Sequence, residues 1–196
     1  MSDSATLEIQ GKSYSLPLIV GSEQEMAVDI SRLRTESACI TLDNGFGNTG
    51  SCESAITFLN GEQGILRYRG YPIEQLAEKS MFQEVAYLLY YGELPGQTEL
   101  SDFKQRVATY SELPQGIYNI IDQFPLEAHP MGVVSAAISA LSAFYPEFIN
   151  PTSLSKEDID RAIVQLMGQV KVIMAYFYRR TQLQPAVPSD PSLAYA

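Results

Sequence analysis

The amino-acid sequence predicts a mainly α-helical protein with a small N-terminal β region built from hairpins. Two observations favour this fold class. Apolar and polar residues alternate with the period of a strand in much of the chain before residue 70, and beyond it apolar residues recur every three or four positions. We therefore divide the chain into an N-terminal β-rich region, residues 1–70, and a helical region, residues 71–196.

The β-rich region begins with a predicted hairpin. Residues 6–10 and 13–20 alternate between apolar and polar side chains on either side of a turn at Gly11. A polar stretch, residues 22–37, follows, and the apolar residues at 38–42 predict one short strand.

A second hairpin is predicted around Asn60-Gly61. The flanking segments, residues 55–59 and 65–68, have strand-like alternation, and Asn-Gly is a strong hairpin turn signal because both residues tolerate positive φ. The polar residues after Gly61 indicate a loop longer than two residues.

Six helices are predicted after this hairpin, several of them with recognisable start or stop signals. Gly92 is expected to end the second helix, and Ser155 with Asp158 forms a variant of the capping box at the start of the last. Arg179 and Arg180 suit the negative end of the last helix dipole. The first predicted helix begins at about Pro72 and places Ile73, Leu76 and Ala77 on one face, and the other predicted spans are 83–91, 98–110, 115–124, 130–145 and 155–180.

The fifth predicted helix is unusually poor in bulky side chains. Residues 130–145 contain Gly132 and a series of serines and alanines. Since small side chains let a neighbouring backbone come close, we expect this helix to lie deep inside a helical assembly.

Composition excludes several classes of function. The chain has 23 acidic and 13 basic residues, a balance that repels nucleic acid and anionic lipid. Asp3 and Glu8 stand where a signal peptide carries basic residues, and we expect a cytoplasmic protein with no membrane association. Cys39 and Cys52 have neither metal-ligand spacing nor a disulfide framework, so we expect two reduced thiols.

One glycine motif invites a nucleotide-binding interpretation. Residues 45–50, Gly-Phe-Gly-Asn-Thr-Gly, match G-x-G-x-x-G, which binds a pyrophosphate only when a helix follows and points its N-terminus at the phosphates. Here a strand-like segment follows, so the motif predicts a loop. The alternative is a separate ligand-binding module.

His129 is the one histidine of the chain, just before Pro130. It is a candidate acid or base because its ordinary pKa lies near neutrality. The structural interpretation, that it orders the entrance of the fifth helix, is favoured because the sequence offers no orienting carboxylate.

The remaining candidates carry no chemistry by themselves. Cys52 lacks a histidine to activate it. The aromatic cluster at Tyr87, Tyr90 and Tyr91 is typical of a core or an interface. The carboxylates of Glu157, Asp158 and Asp160 are expected to form a solvated helix start. We therefore predict no catalytic residue, no cofactor-binding residue, no metal ligand and no cofactor.

Several separated motifs resemble the bacterial type II citrate synthases. They occur in the family's order over nearly the whole chain and include the glycine loop, the second hairpin and the small-residue helix. The matching segments are 51–54 (Ser-Cys-Glu-Ser), 56–61 (Ile-Thr-Phe-Leu-Asn-Gly), 64–66, 69–73 (Arg-Gly-Tyr-Pro-Ile), 129–131 (His-Pro-Met), 143–145 and 193–196 (Leu-Ala-Tyr-Ala).

The resemblance implies part of the large helical domain of the citrate synthase fold. It also implies an acyltransferase that condenses acetyl-CoA, as substrate, with oxaloacetate to give citrate and CoA, the entry reaction of the tricarboxylic acid cycle; methylcitrate synthase fits equally. The family uses an aspartate and two histidines, one within a His-Gly-Gly segment, and all lie in its second half. His129 does not match that segment, so the chain is expected to be an inactive N-terminal half.

The resemblance also bears on partners and regulation. It implies a homo-oligomer or assembly with full-length subunits, and one alternative is a short non-catalytic homologue that acts as a structural or regulatory subunit of a full-length citrate synthase. Tyr145 matches an aromatic position of the NADH site of type II enzymes. Gln165 and Gln169 replace the expected arginine and lysine, and residues 109–112 lack basic side chains, so NADH insensitivity is expected.

Overall fold

A computed structural model describes residues 3–188, 190 and 195 of the chain. The chain forms two compact units, Met1–Ser54 and Ala55–Ala196. Residues 55–70 therefore pack with the helices, although the division of the sequence at residue 70 assigns them to the β-rich region. The last motif of the resemblance, residues 193–196, lies outside the described residues except for Tyr195.

The first unit is a three-stranded antiparallel sheet with one short helix. Its strands are β1 (Ser4–Ile9), β2 (Lys12–Val20) and β3 (Met26–Val28), in the order β1-β2-β3. Helix α1 (Leu33–Ser37) packs on β2, and Leu16 and Leu33 are buried. The predicted hairpin is confirmed, whereas β3 and α1 lie in the segment that the sequence predicts to be merely polar.

The strand predicted at residues 38–42 is wrong. This segment has no strand, and Ile40 and Leu42 are 71% and 86% exposed. Their alternation has no buried face on which a strand could pack, and Ala38 takes a left-handed conformation at φ 59° that ends α1 instead.

The second unit begins with the second predicted hairpin. Strands β4 (Thr57–Asn60) and β5 (Ile65–Tyr68) pair in antiparallel register, and the two-residue strand β6 (Tyr71–Pro72) adds to β5. The longer turn expected after Asn60 is present: the Asn60 carboxamide oxygen accepts from the amide of Gln63 at 3.0 Å.

In the described residues, six α-helices follow the hairpin, as predicted, with two short 3-10 helices, Pro146–Phe148 and Pro151–Ser153, between the last two. The α-helices are α2 (Ile73–Lys79), α3 (Phe82–Tyr91), α4 (Gln97–Thr109), α5 (Gln115–Asp122), α6 (Pro130–Leu141) and α7 (Lys156–Thr181). Gly92 ends α3 at φ 99°, a conformation that glycine adopts without strain. At the start of α7, Ser155 Oγ accepts from the Asp158 amide at 3.1 Å and Asp158 accepts from the Ser155 amide at 3.2 Å, so the capping box is confirmed.

Two apolar clusters hold the helices together along α7. The larger joins α5, α6 and α7, and the smaller joins α4 and α7. The buried members of the larger are Leu113, Ile117, Ile121, Val133, Val134, Ala137, Leu141, Ile173 and Phe177, and those of the smaller are Phe103, Val107 and Val164. Because α7 contributes to both clusters, it is the central element of the unit.

Helix α6 is less deeply buried than its small side chains predict. Val133, Val134, Ala137 and Leu141 contact the larger cluster, but the face that carries Gly132 and several serines is exposed in the described chain. Small side chains permit close approach, whereas the burial of bulky apolar groups drives it. Deep burial of α6 is therefore not reached within this chain, and its burial in a larger helical assembly stays a prediction.

Arg180 caps a neighbouring helix rather than its own. Its guanidinium donates to the main-chain oxygens of Phe124 at 2.8 Å and Asp122 at 2.7 Å, at the C-terminal end of α5. Cations are favourable there because helix C-termini carry unpaired carbonyls. None of the helices in the part of the chain that the structure describes is long and apolar enough to cross a bilayer.

The close crossing of α4 and α7 generates the first testable prediction. A Cβ added to Gly168 of α7 would lie 2.6 Å from the carbonyl oxygen of Val107 and 3.0 Å from that of Tyr110. Gly168→Ala is therefore expected to lower the free energy of opening of the α4–α7 packing by about 1–3 kcal/mol, as overpacking does, measured by amide hydrogen exchange at α4 and α7.

Gly132→Ala is the matched control in α6, since nothing lies within 4 Å of an added Cβ there. It is expected to be neutral or to stabilise by up to about 1 kcal/mol, the difference in helix propensity. Equal effects of the two substitutions would contradict the close crossing.

Candidate functional site

The glycine loop holds one of its own carboxylates. The Asp43 carboxylate accepts from the amides of Gly47 at 3.2 Å and Asn48 at 2.8 Å, and from the Thr49 hydroxyl at 2.7 Å. These are the kind of donors that a nucleotide motif would offer to a phosphate. An internal carboxylate uses them, and no helix starts between Gly50 and β4 at Thr57.

The loop interpretation of residues 45–50 is thus confirmed in geometry. Asp43 is a residue that the sequence reasoning passed over, although an aspartate a few residues before a glycine turn is a recognisable signal for side-chain capping of a loop. The hydrogen bond from the Asn48 amide, followed by that from Thr49, holds the pKa of the Asp43 carboxyl below its ordinary value.

His129 caps α6, as the structural interpretation predicts. Its Nδ1 accepts from the amide of Met131 at 3.2 Å, and its ring is exposed to solvent. Among the residues that the structure describes, no three histidine, cysteine, aspartate or glutamate side chains gather into a metal-binding group. Cys39 is partly exposed, Cys52 is exposed, and both are free thiols.

The tyrosines of α3 belong to a packed polar and aromatic seam with α4 and α7. Tyr87 and Tyr91 pack against Phe103 with ring centroids 5.5 and 6.2 Å away. The Tyr91 hydroxyl donates to Asp160, which also forms an ion pair with Arg106. Burial and then the hydrogen bond to Asp160 raise the pKa of Tyr91 to about 12, so its phenol stays protonated and neutral.

Asp160 corrects one prediction. Asp158 caps α7 and Glu157 is exposed, but Asp160 is partly buried in the ion pair with Arg106 and is not a solvated helix-start carboxylate. It lies one turn inside α7, on the side that faces α4, and sequence spacing alone did not single out Arg106 as its partner.

The residues matched to an NADH site do converge in space. The Gln169 carboxamide, only 2% exposed as a residue, donates to the Glu112 carbonyl oxygen at 2.9 Å and to the Tyr145 hydroxyl at 2.8 Å. Both hydrogens of that amide are therefore used within the chain. The convergence joins the segment between α4 and α5, the turn after α6 and the middle of α7.

The charge near this cluster is balanced by acids. Arg161 stacks on Phe148 at 4.8 Å, and the ring of Phe148 lies 6.3 Å from that of Tyr145. The same guanidinium lies 3.8 Å from Glu147 and 3.7 Å from Asp158. This arrangement favours internal packing over binding of a diphosphate, which needs uncompensated cations.

The Asp43 loop generates a testable pH dependence. Because the folded-state pKa of Asp43 is depressed, its contribution to loop stability is present above the unfolded-state pKa and is lost as the pH falls through the folded-state pKa. A carboxyl titration by NMR is expected to give a midpoint below the ordinary aspartate value of about 3.9.

Thr49→Val serves as the matched variant, since it removes one donor while keeping the shape of the side chain. It should raise the pKa of Asp43 relative to that in the unsubstituted chain. A midpoint at or above the ordinary value in the unsubstituted chain would contradict the described geometry.

Comparison with known proteins places this geometry in a family. The chain matches the family model "Citrate synthase, C-terminal domain" over residues 45–196. Similar solved structures include the citrate synthase of Thermotoga maritima MSB8, with 32% identity and a TM-score of 0.66, covering 79% of this chain and 39% of that one.

Two archaeal structures agree. The Thermoplasma acidophilum citrate synthase, solved in a ternary complex with carboxymethyl coenzyme A and oxaloacetate, is 28% identical with a TM-score of 0.72 and coverages of 79% and 40%. The Pyrobaculum aerophilum enzyme is 32% identical with a TM-score of 0.67 and coverages of 78% and 39%. The chain spans about two fifths of the length of these structures, and it belongs to the citrate synthase family.

Proposed function

We propose that this chain supplies the N-terminal portion of a citrate synthase, which in complete form condenses acetyl-CoA with oxaloacetate to give citrate and CoA. The single observation that carries the proposal is the family match over residues 45–196 together with a span of about two fifths of the solved enzymes. The contribution of this portion is then scaffolding: α4, α6 and α7 build part of the large helical domain.

The proposal includes the absence of catalysis by these 196 residues alone. A Claisen-type condensation needs a base to remove a methyl proton and donors that stabilise the enolate and protonate the carbonyl. The resemblance assigns these tasks to one aspartate and two histidines, whereas the chain has one histidine, His129, whose Nδ1 caps α6. The arginines described above are bound to carbonyls and carboxylates of the chain itself, for instance Arg106 and Arg180.

The direct test is an assay of the purified chain. We expect no citrate above background when the chain is mixed with acetyl-CoA and oxaloacetate, with citrate measured by mass spectrometry. Thiol reagents are unsuitable for following CoA release because Cys39 and Cys52 are free and would react. A complete citrate synthase is the positive control, and citrate formed by the short chain with no other subunit present would refute the proposal.

Assignment to the type II branch remains part of the proposal and rests on the small β sheet of Met1–Ser54 and on the motifs of the resemblance. Within that branch we propose a member insensitive to NADH. Gln169 is buried, and its side-chain amide donates hydrogen bonds to the Tyr145 hydroxyl and the Glu112 carbonyl oxygen. Gln165 is buried as well, and neither glutamine offers a positive charge.

NADH binding therefore provides a separate prediction. Titration of the purified chain, or of any longer version of it, with NADH at physiological salt is expected to show no saturable fluorescence or calorimetric signal, because Gln165 and Gln169 are neutral and Arg161 is paired with Glu147 and Asp158. A type II enzyme that NADH inhibits is the control. Saturable micromolar binding at the same salt would contradict the account of the Gln169 cluster.

We also propose that the helical unit associates, either with copies of itself or with full-length citrate synthase subunits. Large apolar side chains remain exposed on α3, α6 and α7 and in the segment between α6 and α7, where a partner could cover them. They include Phe82, Met131, Phe144, Ile149, Leu166, Met174 and Tyr178.

The purified chain is accordingly expected to oligomerise, aggregate or fold only in part. Size-exclusion chromatography with light scattering and urea unfolding measure this directly. A clean monomer with a sharp cooperative unfolding transition would contradict it.

The alternative function, a non-catalytic subunit that modifies a full-length citrate synthase, rests on the same exposed faces. Mixing the chain with a complete homologous enzyme separates the two: a stable mixed assembly with altered activity favours the subunit, whereas no effect on assembly or rate favours a portion of one larger polypeptide.

A further inference from the structure

Tyr195 is held in the helical unit by a hydrogen bond to the middle of α7. Its hydroxyl donates to the main-chain oxygen of Met167 at 2.7 Å. A carbonyl oxygen has two lone pairs, so Met167 can accept this bond in addition to its helical one. The bond spans 28 positions of the sequence.

The ring of Tyr195 has two further partners of different chemistry. It stacks on Phe82, the first residue of α3, with centroids 4.7 Å apart and planes inclined by 22°. The ammonium group of Lys171 lies over the ring, 5.6 Å from its centroid. An offset stack and a cation over a ring face are both attractive arrangements for an aromatic side chain.

These contacts place Tyr195 against the smaller apolar cluster, whose buried members are Phe103, Val107 and Val164. Burial raises the pKa of the Tyr195 phenol and lowers that of Lys171, as expected for groups withdrawn from water. Phe82 stays 58% exposed even with the ring stacked on it, so the ring of Tyr195 covers an apolar surface that the helices leave open.

We propose that Phe82, the Met167 carbonyl and Lys171 form a binding site for a phenol ring, the aromatic seat, and that Tyr195 fills it from within the chain. The site recognises three properties together: a flat apolar ring, a hydroxyl donor and a face that attracts a cation. Tyr195 is thereby an anchor that fixes its own position of the chain to α3 and α7. This inference does not depend on the proposal that the chain is the N-terminal portion of a citrate synthase.

The anchor is testable with a single fluorescent reporter because the chain contains no tryptophan. Tyr195→Trp places one indole in the aromatic seat. Val187→Trp places one at an exposed position outside the aromatic seat. We expect the indole at 195 to emit at shorter wavelength and to be quenched by acrylamide several-fold less than that at 187. Phe82→Ala should abolish this difference, whereas Met131→Ala, on α6, should preserve it.

Equal quenching of the two reporters would overturn the anchor. So would an indole at 195 whose quenching is unchanged by Phe82→Ala. A second measurement uses a phenol ring, the chemistry of the native side chain, and does not require indole to fit the aromatic seat. In Tyr195→Ala the empty seat is expected to bind p-cresol, detected by saturation-transfer NMR, and to bind toluene more weakly because toluene lacks the hydroxyl donor.

The unsubstituted chain and the Phe82→Ala, Tyr195→Ala double variant are the controls, and neither should bind p-cresol. Selective binding to Tyr195→Ala supports the aromatic seat. Binding of p-cresol to all three proteins alike, or to none of them, would overturn it.

Discussion

The close crossing of α4 and α7 is the constraint on which the helical unit depends. Because Gly168 has no side chain, α7 approaches the carbonyl oxygens of Val107 and Tyr110. That approach brings the next residue, Gln169, within hydrogen-bond distance of the Glu112 carbonyl, and it lets Val164 pack with Phe103 in the smaller cluster. The contacts of Asp160 with Arg106 and of Tyr195 with Met167 lie along the same helix.

The Gln169 cluster shows how one exchange of side-chain type changes what a site can do. A buried carboxamide is tolerated when its polar atoms are paired, because unpaired burial costs about 1–3 kcal/mol. Gln169 meets this requirement with Glu112 and Tyr145. A lysine in its place would bring a positive charge, which an anionic effector can use but which burial disfavours. In this structure the Gln169 amide is fully hydrogen-bonded within the chain.

Local signals predicted the helices well because the relevant forces act within a few residues. The glycine stop at Gly92 and the capping box at Ser155 are confirmed on that basis. Where tertiary contacts decide the structure, the prediction was wrong. The apolar residues at 38–42 have no sheet to join, and Asp160 pairs with Arg106 from another helix. The motif alone did not show that the donors of the glycine loop are taken up by the Asp43 carboxylate, because Asp43 lies outside the six residues of the motif.

Native-state hydrogen exchange tests the central claim most directly, because amides at the most stable packing open last. If the α4–α7 crossing organises the unit, the slowest amides in Ala55–Ala196 will be those of α7 between Val164 and Ile173, and those of α4 near Val107 will come next. Exchange that is slowest in the hairpin of β4 and β5, with rapid exchange at the centre of α7, would contradict the account.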